Sequence, residues 1–148
     1  MASYLPPMPL LIKLGMWFAV IFVIGVTILL TLAVFGIGSF SIGGEAIDRQ
    51  VWLRVASPVI LWTSILMGII AYGFYKEEYW SRHIVMLLWA SIGFFALSGL
   101  VVGVDFVPRV LLWRALAESV VFGGIAAWYF YRKRNVVDYF RMLAQRQT

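Results

Sequence analysis

The feature that most constrains this chain is a set of apolar runs of bilayer length. Residues 14–35, 58–75, 84–104 and 108–131 are each dominated by aliphatic and aromatic side chains, with short polar breaks between them. A helix rises about 1.5 Å per residue and a hydrocarbon core is about 30 Å thick, so about 20 apolar residues make one crossing. In that solvent a backbone must satisfy its own N–H and C=O groups, which a helix does within a single segment. The sequence therefore predicts an all-α integral membrane fold. It is a four-span antiparallel transmembrane helix bundle with short amphipathic interfacial helices, one domain over residues 1–148. Composition agrees: 63% of the 148 residues are hydrophobic and 13% charged, where a soluble domain is nearer half and a quarter.

The fourth run organises the rest. It ends at Arg132-Lys133-Arg134, just after Trp128, Tyr129 and Tyr131. Aromatic rings favour the headgroup level and basic clusters the cytoplasmic side, so these six residues are the expected interfacial anchors. Counting back one crossing places the far end near Pro108, a residue suited to a first helical turn. Arg114 and Glu118 then fall inside the span. They are spaced i, i+4 and can pair on one face, although Arg before Glu is the weaker order. Ionisable residues at that depth usually face a bundle interior or a cavity. Arg114 and Glu118 are therefore the candidate intramembrane polar site, expected between helices. The competing reading is a pair that fixes helix register or snorkels to the outer headgroups. Ala115, Ser119, Gly123 and Ala127 recur at the same spacing and make a ridge for close helix packing.

Earlier in the chain, three prolines before Leu10 suggest an irregular lead-in, and Lys13 marks the expected cytoplasmic end of the first span. That run is too long for a secretory signal, and no clear cleavage site follows it. The segment GIGSFSIGG, residues 36–44, breaks the helix. In the following EAIDRQVWLRVAS, Ile47, Val51 and Val55 are spaced at four. This is read as a short helix lying on the outer surface, the alternative being exposed first turns of the second span bent at Pro58. Ser64 and Gly68 give that span a small-x-x-x-small pair, and Thr63 and Ser64 can bond back to their own helix.

The turn KEEYWSRH nearly balances its charges. Glu77 and Glu78 would hold a metal only with ligands from elsewhere, so a solvated turn is expected. His83 is read as a headgroup-level polar residue. In the third span Gly99 and Gly103 form GxxxG, a helix-contact motif, and Asp105 could pair with Arg109 beyond it. In the tail, Asn135 is a candidate helix cap with Asp138 at the third position. Val136, Val137, Phe140 and Leu143 fall on one side, and Arg134, Asp138, Arg141 and Gln145 on the other. That pattern predicts an amphipathic helix anchored at the cytoplasmic interface, where anionic lipid headgroups are the expected partner.

With four spans, Lys13, Lys76, Arg82, Arg132, Lys133, Arg134, Arg141 and Arg146 share a side, while Arg49, Arg54, Arg109 and Arg114 lie on or toward the other. The positive-inside rule then puts both termini in the cytoplasm. Cysteine is absent and histidine occurs once. Disulfides, thiolate metal sites and a bis-histidine haem within one chain are thereby excluded. No nucleophile with an obvious base, metal cluster or phosphate loop stands out, and no cofactor is expected. The short tail, apolar on one side, does not point to nucleic acid.

Four short spans with one membrane acid are similar in number to small multidrug-resistance exporters. Those carry the acid in their first helix, where this chain has none. DoxX-like proteins are similar in size and span count, without a shared local motif. The KEEYWSRH turn and NVVDYF tail resemble segments of bacterial membrane proteins in general, which implies a bacterial inner membrane. The expected function is that of an accessory or interaction subunit, packing against another membrane protein or against itself. The alternative is a small proton-coupled transporter using Glu118.

Overall fold

The computed structural model describes residues 7–42, 44–103 and 107–147. Within them the chain forms α1 (Leu10–Phe35), a two-stranded hairpin β1 (Ser41–Ile42) and β2 (Glu45–Ala46), α2 (Arg49–Tyr75), α3 (Ser81–Val102), α4 (Arg109–Arg132) and α5 (Arg134–Gln147). Each of α1 to α4 is long and apolar enough to cross a membrane.

Local chemistry sets the boundaries. At the end of α1, Gly36 takes a left-handed φ of 74°, and the amides of Gly36 and Ile37 donate back to Ala33 and Leu32. Only glycine adopts that conformation without a Cβ penalty. The glycine-rich break then folds into the hairpin, with Ser41 opposite Ala46.

The stretch expected as a separate surface helix is instead the first part of α2, which runs unbroken through Pro58. Asp48 starts it there: its Oδ1 accepts from the Gln50 amide at 2.7 Å, a regular N-cap. Trp52 is buried, with its ring centroid 5.6 Å from that of Phe40 in the hairpin, so these turns pack back on the loop. Pro58 removes one ladder bond, which a 27-residue helix with a packed first turn tolerates.

Two more expectations change. Pro108 sits just before α4 as its flanking residue rather than inside the first turn. Asn135 does not cap α5; the amides of Val136 and Val137 donate to the carbonyl of Lys133, so α4 passes into α5 through one extended residue. The suggested Asp105–Arg109 pair lies outside the described residues.

The helices pack in sequence order, α1 on α2, α2 on α3, α3 on α4 and α4 on α5, with no comparable contact from α4 back to α1 among the described residues. On α1 the buried residues Ile12, Ala19, Val26 and Ala33 recur every seven positions. That repeat is the seam of a shallow left-handed crossing. The α3–α4 pair is antiparallel and close. A Cβ on Gly93 would come within 2.7 Å of Ser119 Oγ, one on Gly99 within 3.1 Å of Leu112, and one on Gly123 within 3.3 Å of Trp89. Gly103 of the GxxxG pair takes no part in this contact. Its φ is 72°, it ends α3, and a Cβ there would meet nothing within 4 Å. Gly99 packs and Gly103 terminates, because the helix stops at the second glycine.

The main core lies at one end. Ile12, Phe74, Leu88 and Phe130 from the four long helices meet Val136, Tyr139, Phe140 and Leu143 of α5. The apolar face of α5 is thus spent on the bundle and is not turned outward.

Candidate functional site

Among the described residues, two places bring polar side chains together on or beside the apolar helices. The first is the Arg114–Glu118 pair. One turn of α4 separates the residues, and Arg114 Nε donates to Glu118 Oε1 at 2.7 Å. The pair does not lie between helices of this chain. The Arg114 side chain is 73% exposed and that of Glu118 45%. The reason is the helix period: α4 meets α3 through Leu112, Ser119 and Gly123, which leaves positions 114, 118 and 121 on the other side. Of the expected ridge, Ser119 and Gly123 are buried, while Ala115 and Ala127 are half-buried. Val110, Val121 and Ile125 flank the pair outward, each more than half exposed. Ala117 is exposed, and a Cβ on Gly124 would meet nothing within 4 Å. The outer face of α4 is therefore a smooth apolar strip with one ion pair on it. Three clefts along the long helices are lined without Arg114 or Glu118.

The second place is where α5 meets the α2–α3 turn. Glu77 has a left-handed φ of 55°, where glycine is usual. Its amide donates to Phe74 and that of Glu78 to Gly73, closing the end of α2. The Glu77 carboxylate interacts with Tyr139 of α5. Burial pushes the Tyr139 phenol well above the ordinary tyrosine range, and the charge and acceptor oxygens of Glu77 push it further. Tyr139 Oη and Arg82 Nε are both buried without a hydrogen bond of regular geometry among the described residues. The Arg82 guanidinium lies against two rings, 5.2 Å from the centroid of Tyr131 and 5.5 Å from that of Phe140. Contacts of that kind are attractive through the ring quadrupole. His83 Nδ1 is 2.7 Å from Tyr131 Oη. The histidine expected at headgroup level is therefore tied to α4, and one of the aromatic anchors, Tyr131, is its partner.

The other anchors differ among themselves. Trp128 is 59% exposed, whereas Lys133 folds its ammonium over the Tyr129 ring at 5.1 Å. Arg132 and Arg134 are exposed. No group of three or more metal-ligating side chains occurs among the described residues. Glu77 is engaged with α5 rather than with a solvated turn. Sequence reading missed Tyr139 as the centre of this cluster. It lies three residues after Val136 and four before Leu143, the same helical face, so the period contained the signal.

Comparison of the chain with protein-family models, with curated proteins and with solved structures finds no match in any of the three.

Proposed function

We propose that the protein is a multi-pass membrane protein with both termini in the cytoplasm of a bacterium, acting as an accessory subunit that docks through the outer face of α4. The supporting observation is the outward ion pair. Arg114 and Glu118 stand five and nine residues into a helix long and apolar enough to span the bilayer, toward its outer half, yet they face away from the other helices of their own chain. Charged side chains at that depth are stable when protein or trapped water covers them, and costly against lipid. A second membrane protein, or a second copy, laid along Ala117, Val121 and Gly124 would supply that cover and could approach closely over the small residues. The distribution of lysine and arginine supports the orientation, since Lys13, Lys76, Arg82 and the basic residues after Tyr131 belong to the end where α5 packs.

The transporter reading gains no such support. Its acid would have to line a passage, within one chain or between copies in a homo-oligomer, and Glu118 does not line three clefts that the long helices of one chain form. The test is native mass spectrometry of the full chain extracted gently from its own membranes, beside Ala117→Trp and Glu118→Leu variants. A stoichiometric partner or defined homo-oligomer in the parent, lost in Ala117→Trp, is the expected result. A monomer in every sample, or an assembly indifferent to both changes, refutes docking through α4.

A further inference from the structure

The bundle is open along one side, and the opening is a shaped cleft rather than a flat surface. It runs between α1 and α4, which do not pack closely on one another, and has a volume of about 430 Å³. All four long helices contribute to its wall, including Gly15, Met67, Leu88 and Ala126. Among the described residues, the single charged group in that wall is Lys133, at the end where α5 begins. Its ammonium is held over Tyr129, another wall residue, by the cation–π contact. Among the described residues no carboxylate forms an ion pair with it. Arg132 and Arg134 are its exposed neighbours in sequence.

Size and charge decide the occupant. A helix about 10–12 Å across with a pitch of 5.4 Å occupies roughly 400–600 Å³ per turn. The cleft therefore encloses no more than about one turn of a helix, so a partner helix would lie across its mouth and leave its floor unfilled. An extended hydrocarbon chain is slender enough to lie along it. Lys133 sits at the end, where an amphiphile's polar group would emerge, and its charge has the sign that attracts phosphate.

We infer that the α1–α4 cleft is a binding site for one anionic phospholipid, an acyl chain lying against Gly15 and Ala126 and the phosphate resting on Lys133. The site is separate from the outer face of α4 proposed for docking, and it does not depend on that proposal. A buried chain would fill the side of the bundle that the protein leaves open, where α1 and α4 do not pack closely on one another.

Gly15 makes the test clean. A Cβ there would meet nothing within 4 Å, so the side chain of Gly15→Leu can start into the cleft from its wall, and it replaces glycine in a helix interior, a change that favours the fold. The full-length protein is reconstituted in bilayers of equal parts phosphatidylglycerol and phosphatidylcholine, and released into native mass spectrometry. The parent should retain one phosphatidylglycerol per chain, with at least a tenfold preference over phosphatidylcholine. Gly15→Leu should lose the adduct, and Lys133→Gln should lose the preference, both with unchanged helical circular dichroism. Equal retention of the two lipids by the parent overturns the inference. So does an adduct that survives Gly15→Leu, which would place the lipid on the basic tail alone, or a preference that survives Lys133→Gln.

Discussion

Replacing Phe140 by alanine tests how α5 is held. The ring is 1% exposed, sits 5.8 Å from Phe130 edge-on, and has the Arg82 guanidinium 5.5 Å from its centroid. Truncating a buried phenylalanine costs about 3–5 kcal/mol when the surroundings cannot collapse into the gap. Phe130 and Arg82 belong to different helices, so collapse is restricted here. At about 1.4 kcal/mol per factor of ten, the detached population of α5 should rise by roughly 100- to 4000-fold, up to the limit at which the tail is fully free. A 14-residue helix is marginal on its own in water, so detachment should also melt it. Hydrogen exchange in detergent micelles reads this directly. Amides of residues 138–145 should lose protection, while those in the middle of α3, which packs between α2 and α4, should not. Trypsin should cut after Arg141 much faster in the variant. If tail exchange changes by less than about threefold, the buried face of α5 carries little of its attachment, and the account of the core at that end is wrong.

Raising the pH should loosen the same contact. The Tyr139 phenol is held protonated by burial and by Glu77, so the stability it contributes is full below about pH 10, the unfolded value, and declines as pH climbs toward the higher folded value. Tail exchange should accelerate there, and Tyr139→Phe should remove most of that acceleration; a Phe variant with the parent's alkaline profile would exclude this phenol as the cause. In the helices, Gly73→Ala should destabilise by about 1–3 kcal/mol, because a Cβ would lie 2.8 Å from Ser81 Cβ and 3.0 Å from Trp80. Gly25→Ala, with open space around it, should instead raise the thermal midpoint through a gain of about 0.4–1 kcal/mol, and equal midpoints for the two variants would contradict the packing described. Single cysteines at Ser41 and Gln147 should react with impermeant reagent from opposite sides of sealed vesicles; labelling from one side would exclude four crossings.

How much of this was legible beforehand depended on the range of the signal. Hydropathy is read over about 20 residues, and it located α1, α3 and α4 to within a few positions. The glycines before Asp48 and Pro58 after it point to two breaks, so the span expected from Pro58 begins nine residues after the start of α2, and the capping role of Asp48 shows only in the structure. The outward side of Arg114 and Glu118 could not be read from α4 alone. Their spacing puts them on one face, and which face meets α3 depends on Gly93, Gly99 and Trp89, which lie some 20 residues away in the chain. The Glu77–Tyr139 contact was hidden for the same reason, since it joins a turn to a tail 60 residues later. Gly103 was misread because GxxxG has the same letters whether its second glycine packs a helix or ends one.

The position of the core has a physical logic that connects the two proposals. Between helices in lipid there is no hydrophobic drive to bury large side chains, since hydrocarbon surrounds them either way, and contact relies on small residues and close approach. Ala19 and Ala33 in the α1–α2 seam and the glycine contacts of α3 with α4 follow that rule. Where chain meets water the hydrophobic effect returns, and there the largest fully buried side chains, Tyr139, Phe140, Ile12 and Val136, gather under α5. A protein assembled this way is firm at the α5 end and thin along its length. Its α4 surface carries an ion pair that its own helices do not cover, and its α1–α4 side is open. Both are features that a neighbour in the membrane, protein at one and lipid at the other, would complete.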